Sequence, residues 1–508
     1  MSGHLKVALS ALALGAVLLL GAKLALPYVR DLLQLQSSDA KGTIGEFSVA
    51  IDNWVGYFPL CSPEMKQRLR SAGYRLACEN DGADIDGRMR KLRDGELDFA
   101  VATVDSYVLA GANYEYPGAI VAVIDESKGG DALVSQKSKI ANIDSLKDLP
   151  NLRIAFTPDS PSHHLLRALS VHFDIERLRE KTTWRVDSQG SSEALKKLLA
   201  GDVTAAVLWE PDVSSALTEP SLHRLIGTED THQLIVDILL VSRKLLRKEP
   251  ERVHLFVKTY FDTLNAYLDD DDRLLDDWSD SANLDRDQAA ASLRGLVWSG
   301  VKANAERWFA VGGGPPALVE TIDDTIDILN EFGTLPGNPL PDGDPLRLTN
   351  SASVKNILAQ DGKNALVTRS SARTFSRLSE SEWDRLRDVG TLKIRPIVFS
   401  SGTAELTTDG KRQLDAAATH LAHYPNYRVS INGHTGLRGD PDINKELSLA
   451  RATAVRDYLR EARSVVAERM RPIGYGASRP LERQPGESNR SFNYRLPRVE
   501  LVLVSGGF

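Results

Sequence analysis

Motifs of established chemistry are missing from this sequence. There is no His-Glu-x-x-His, no Gly-x-Ser-x-Gly and no P-loop. Gly312-Gly-Gly-Pro-Pro316 ends in prolines and lacks the lysine that a phosphate loop needs. His163 and His164 are adjacent and so point to different faces of a helix, which disfavours joint metal ligation. No metal, no cofactor and no enzymatic role are expected. An excess of one charge is also lacking: 62 Lys and Arg stand against 69 Asp and Glu, a net charge of −7. Without a basic footprint or an acidic tail, nucleic-acid partners are excluded. The only cysteines are Cys61 and Cys78, whose spacing matches no zinc or thioredoxin-type motif. They pair as one disulfide in an oxidising compartment, or else serve as two small buried hydrophobes.

Long apolar runs are absent but for one. Val7 to Ala22 is free of charge, and the run continues to Leu26 with only Lys23 interrupting. About twenty residues make roughly 30 Å of helix, just enough to span a bilayer. Lys23 falls where a signal-peptide cleavage site needs a small residue, so residues 1–30 read as a membrane anchor or uncleaved signal, against a cleaved secretory signal. A polar linker, 31–44, follows.

At 508 residues the chain exceeds one ordinary core, and its 42 % apolar content suffices for two or three. From residue 45 to 332 strands and helices alternate. Phe47 to Ile51, Tyr74 to Cys78, Leu97 to Ala102, Leu152 to Phe156, Val203 to Trp209 and Ile235 to Val241 read as strands. Helices between them imply an α/β domain with a mostly parallel sheet, built twice to one plan as two lobes. The Pro250 to Leu268 helix shows Val253, Phe256, Val257, Tyr260, Leu264 and Tyr267 on one face, and Asp269 to Asp272 reads as a solvated acidic turn. Residues 333–390, rich at first in proline, glycine and aspartate, read as a linker with short helices, one near Val354 and one at Ser379 to Leu386.

Asn53-Trp-Val-Gly-Tyr57, Gly95-Glu-Leu-Asp-Phe-Ala100 and Gly201-Asp-Val-Thr-Ala-Ala-Val-Leu-Trp-Glu-Pro211 resemble periplasmic substrate-binding proteins of ABC transporters, in the nitrate, sulfonate and taurine-like branch. The resemblance implies a cleft between two lobes that close on a small solute. Ligands of open α/β sheets sit beyond the carboxyl ends of strands, which selects Asn53, Trp54, Gly56, Thr103, Asp105, Ser160, Ser162, Trp209 and Glu210. Exposed amides and hydroxyls from Ser160 to His163 suit an anion. Asp105 and Glu210 would repel one, leaving a zwitterion or amine open. Ser160-Pro161 is equally an ordinary helix start, and Glu210 beside Pro211 an ordinary cap.

The last domain, 391–508, carries the most specific pattern. Arg428 to Asn432 alternates as a strand into Gly433-His-Thr435, and Asp440-Pro441 reads as an N-cap and first-turn proline. The helix that follows places Ile443, Leu447, Ala450, Ala454 and Tyr458 at intervals of three and four. Asn432-Gly-His-Thr-Gly, Leu447-Ser-Leu-Ala-Arg-Ala452 and Ile473-Gly-Tyr-Gly476 resemble the OmpA-like peptidoglycan-binding domain, a small α+β fold. In that family an aspartate directly after Gly-His-Thr and an arginine fifteen residues later grip the diaminopimelate of the wall peptide. Arg451 occupies the second position, but Gly436 stands at the first, and Asn493 to Glu500 carries two residues more than the family's tail. Thr435, Asp440, Asn444 and Arg451 are the wall-binding residues implied here, with Asp440 or Asp442 as substitutes for the missing carboxylate.

These features together predict a non-enzymatic protein of the inner membrane, single-pass, with its bulk in the periplasm. It would hold a solute for transport or sensing and bind peptidoglycan, with a transporter or another envelope protein as further partner. The alternative is a structural tether whose solute-binding fold has become a protein-docking module.

Overall fold

The computed structural model describes residues 42–180, 184–361 and 375–506. The expected anchor, residues 1–30, lies outside them. Among the described residues no helix is long and apolar enough to cross a membrane.

The first lobe opens with β1 (Gly45–Ile51), β2 (Tyr74–Asn80), β3 (Phe99–Thr103) and β4 (Gly118–Ser127). β1 runs parallel to β2 and β3. A disulfide joins Cys61, at the end of a short helix, to Cys78 on β2. β4 then delivers the chain to the second lobe: β5 (Asp131–Gln136), β6 (Ile154–Phe156), β7 (Arg185–Asp187), β8 (Ala205–Trp209) and β9 (Leu222–Gly227). The chain returns through β10 (Val236–Ser242), antiparallel to both β3 and β4, and β11 (Leu296–Trp298) closes the edge. The first sheet has six strands in the order β11-β4-β10-β3-β1-β2, the second five in the order β7-β6-β8-β5-β9. The backbone therefore crosses between lobes twice, from β4 to β5 and from β9 to β10. Every residue of β4 and β10 is buried, so neither shows the alternation that marks a half-exposed strand.

All six apolar positions expected on the Pro250–Leu268 helix are buried. The acidic stretch after it is not a turn throughout. Asp270 caps a further helix, Asp271–Ala282, accepting from the Arg273 amide at 3.1 Å, and Leu274 and Trp278 are buried beneath it. Aspartates at a helix start satisfy free amides and favour the dipole, so the acidic run begins a helix.

The Ala317–Phe332 helix braces the lobes. Leu318, Ile322, Ile326 and Leu329 enter the first lobe's core, while Ile328 packs on Ala168 and Val171 of the second. Residues expected to be linker also join the first lobe: Leu340 and Leu348 are buried in it, as are Val354 and Ile357 of the Ala352–Asp361 helix.

The C-terminal domain is a four-stranded sheet of β12 (Arg387–Thr391), β13 (Arg428–His434), β14 (Met470–Gly476) and β15 (Arg498–Ser505), in the order β12-β15-β13-β14. Asp440 caps the Pro441–Arg463 helix as its sequence indicates. The buried stripe of that helix differs from the expected one. Ser448, Ala452, Val455 and Leu459 face the sheet, whereas Ile443 is 65 % exposed. Close approach explains the rotation: a Cβ on Gly433 would lie 2.1 Å from the Ser448 carbonyl oxygen, and one on Gly474 would lie 2.6 Å from the Leu449 amide. Only small residues fit between helix and sheet at that separation, so the apolar count misplaces the face.

Candidate functional site

Two regions concentrate the residues singled out by sequence. The first is the seam between the lobes. Trp54 Nε1 donates to Asp125 Oδ1 at 3.2 Å, and a Cβ on Gly56 would meet Asp125 Oδ2 at 1.8 Å. Both residues thus close on a carboxylate of the crossing strand β4. Asp125 lies opposite Asp237 of β10, whose carboxylate accepts from the Tyr57 hydroxyl. Burial pushes the Asp125 carboxyl up to about 7 and raises that of Asp237 well above the usual range. Asp131, where β5 begins, is likewise pushed up to about 7 by burial, with Asp105 and Glu210 adding repulsion and a Ser127 hydroxyl at 2.7 Å opposing it.

Thr103 bonds Ser106, hydroxyl to hydroxyl, at 2.7 Å, and sits opposite Asp237 in the sheet. Asp105, in the first turn of the Val104–Ala112 helix, is buried with both carboxylate oxygens free of partners among the described residues. Ser162 is buried in the first turn of the Pro161–His172 helix, its hydroxyl equally unpartnered. These two helices touch across the lobes. The other expected residues are spent locally. Asn53 is exposed and bonded to Asn80; Ser160 donates to the Thr157 carbonyl at 2.7 Å. The Trp209 amide donates to the Ser191 hydroxyl at 3.1 Å, and Glu210 accepts from the Ser214 amide and hydroxyl in the first turn of the Asp212–Leu217 helix.

Sequence reasoning missed Asp125, Asp131, Asp237, His164 and Arg167. One signal for Asp125 was present: the apolar run Ala119 to Ile124 ends abruptly in Asp125-Glu-Ser127. Strand β4 itself went unread, and with it the crossing that places these acids.

The second region is the loop at the end of β13. Thr435 donates its amide to the Gly476 carbonyl at 2.9 Å, and Asn444 Nδ2 holds the Arg438 carbonyl at 3.0 Å. Asp440 Oδ1 accepts from the amides of Asp442 and Ile443 at 2.9 and 3.1 Å, so its carboxylate works as the helix cap. Arg451 Nε donates to the Thr403 carbonyl at 3.0 Å, and its guanidinium lies 5.1 Å over the Phe399 ring. Gly436 faces open space, with nothing within 4 Å of a Cβ placed there.

Residues 398–494 match the OmpA family. A peptidoglycan-associated lipoprotein of Rhizobium meliloti is 41 % identical over 85 residues, 17 % of this chain and 48 % of that protein. A peptidoglycan-binding protein, ArfA of Mycobacterium tuberculosis, is 35 % identical over 108 residues, 21 % of this chain and 32 % of its own length. The chain thus spans half or less of the length of these two relatives. The periplasmic aliphatic sulphonate binding protein SsuA from Escherichia coli resembles 60 % of this chain over 99 % of its own, with 15 % identity and a TM-score of 0.48.

The OmpA domain is docked on the second lobe through one continuous apolar core. Leu169 and Phe173 of the lobe share it with Leu392, Tyr424 and Tyr427. Polar groups seal the seam. The Tyr427 hydroxyl donates to Asp230 Oδ2 at 2.7 Å, His172 Nδ1 and the Tyr424 hydroxyl lie 2.7 Å apart, and the Thr391 amide and hydroxyl both donate to Asp144. The His172 and His423 rings stack at 4.9 Å. The Pro161–His172 helix consequently begins at the lobe seam and ends inside the OmpA domain's footing.

Proposed function

We propose that this protein is a non-enzymatic component of the bacterial envelope. It holds a small solute between its lobes and is tied to peptidoglycan by its OmpA domain. Residues 1–30 would moor it in the cytoplasmic membrane, with the rest in the periplasm. The observation that carries the reading is the docking of an OmpA-family domain onto one of two lobes whose facing surfaces hold unpartnered buried polar groups. A shuttling receptor needs freedom to diffuse; one fixed to wall and membrane suits sensing, or delivery to a neighbour in the same envelope. The test is co-sedimentation of the full chain with purified sacculi. Binding that Arg451→Ala abolishes supports the wall half, and a chain that stays in the supernatant refutes it.

A second reading, a structural tether whose lobes dock another protein, is favoured by the closure of Trp54 on Asp125 and by the engagement of Glu210 with Ser214. A thermal-shift screen of small solutes separates the two, because a ligand that binds only the folded state raises the melting point by mass action. A broad screen without a single shift selects the tether.

A further inference from the structure

The lobes meet on opposite charges, one of which the protein leaves unpaired and the other only partly satisfied. On the first lobe, Asp105 is 2 % exposed, and neither carboxylate oxygen has a hydrogen-bond partner among the described residues. On the second, Ser162, His164 and Arg167 are 0, 1 and 2 % exposed. The Ser162 hydroxyl, both His164 ring nitrogens, and Nε and Nη1 of Arg167 are equally without partners. Only Nη2 of Arg167 is engaged, donating to Asp159 Oδ1 at 2.9 Å.

These groups share one place. Asp105 lies near enough to act electrostatically on both His164 and Arg167, yet it forms no ion pair with the guanidinium. A charge buried without a partner costs several kcal/mol; Asp105 carries that cost on one side of the seam, while on the other Arg167, paired with Asp159 through Nη2 alone, keeps two buried donors unused. Neither alone is relieved by a singly charged ligand. An anion on Arg167 would leave Asp105 unpaired and repelling it, while an amine on Asp105 would leave two guanidinium donors unused.

We infer that the seam between the Val104–Ala112 and Pro161–His172 helices is a binding site for a small zwitterion, with its ammonium on Asp105 and its acidic group on Arg167 and Ser162. Pro161 has no N–H and the His163 and His164 amides donate to the Ser160 carbonyl, so the Ser162 amide is what the second helix's first turn adds, together with a dipole that favours the acidic end. His164 supplies one donor and one acceptor to the middle of the ligand, because burial holds its pKa down at about 4 and the ring neutral. Burial raises the pKa of Asp131 and of Glu210, which weakens the pull of these neighbouring acids on the ammonium. This inference rests on the solute-binding reading above and names the class of solute.

The experiment is calorimetric titration of the full chain with glycine, β-alanine and γ-aminobutyrate, beside the acid and the amine matched to each. At least one amino acid should bind, with its matched acid and amine at least 100-fold weaker. Asp105→Asn and Arg167→Gln should each weaken that amino acid at least 30-fold. The comparison of matched ligands needs no variant, so it stands even if a substitution impairs folding. A matched acid or amine that binds as tightly as its amino acid overturns the inference, as does full affinity in both folded variants. Failure of all three amino acids also overturns it. The solute reading then survives if the broad thermal-shift screen yields a hit of another charge class, and falls if it yields none.

Discussion

Gly436 stands where the resemblance implies one half of the wall clamp, and it offers the sharpest test of that implication. The resemblance implies a carboxylate there to receive the ammonium of diaminopimelate, and glycine supplies none. Nothing lies within 4 Å of a Cβ built on Gly436, and its backbone is not in the left-handed region, so Gly436→Asp introduces neither clash nor strain. The opposing group is already set: Arg451 is held by the Thr403 carbonyl and the Phe399 ring. A hydrogen bond to a charged group contributes about 1.5–3 kcal/mol. Taking about 2 kcal/mol, affinity should rise roughly 30-fold, since each 1.4 kcal/mol is a factor of ten. The assay is calorimetry with a stem peptide containing diaminopimelate, with the lysine-containing peptide as control. Asp440→Asn is the companion variant, because asparagine keeps the helix cap while removing the charge. A Gly436→Asp protein with unchanged affinity, while Arg451→Ala abolishes binding, would refute the clamp. An equal loss in Asp440→Asn would instead place the wild-type carboxylate on the helix cap.

Three further outcomes are expected. Asp131 has its folded pKa raised, so its contribution to stability is fully present below about pH 4 and lost as pH climbs towards 7. Asp131→Asn should therefore stabilise the protein by up to about 4 kcal/mol at pH 8, from a shift of 3.8 to about 7, and the gain should vanish near pH 4; a pH-independent difference in denaturant midpoint would contradict this. Tyr427→Phe removes the hydroxyl that donates to Asp230 at the docking seam and should cost about 1 kcal/mol in thermal or urea unfolding; an unchanged midpoint would show the seam to be loose. Reducing Cys61–Cys78, which closes a separation of 17 residues, should lower stability by about 3 kcal/mol, and equal melting with and without reductant would count against the bond.

Legibility from sequence followed the range of the interaction concerned. The Pro250–Leu268 helix could be read because its buried face recurs along one element, and Asp440-Pro441 because a cap acts within a turn. The wall motif around Gly433-His-Thr435 is likewise local. β4 went unread although β10, buried as completely and as free of alternation, was legible from its apolar run; what local pattern could not show in either case is that Asp125 and Asp237 stand opposite each other, which only strand pairing decides. The face of the Pro441–Arg463 helix was misjudged because close contact with Gly433 and Gly474 selects Ser448 and Ala452, which a count of large apolar residues passes over.

Sequence alone thus determined the kinds of domain present and the elements whose signals are local, such as the Pro250–Leu268 helix and the Asp440 cap. Tertiary structure decided which of those residues act together. Asp105 and Arg167 are 62 positions apart by number and belong to different lobes, so no spacing rule relates them. Only the double crossing of the backbone and the brace of the Ala317–Phe332 helix bring the two charges to one seam. The footing of the OmpA domain on Phe173 and His172 has the same origin: it is a contact between surfaces, and periodicity along a chain records only that a face is apolar, never what will cover it.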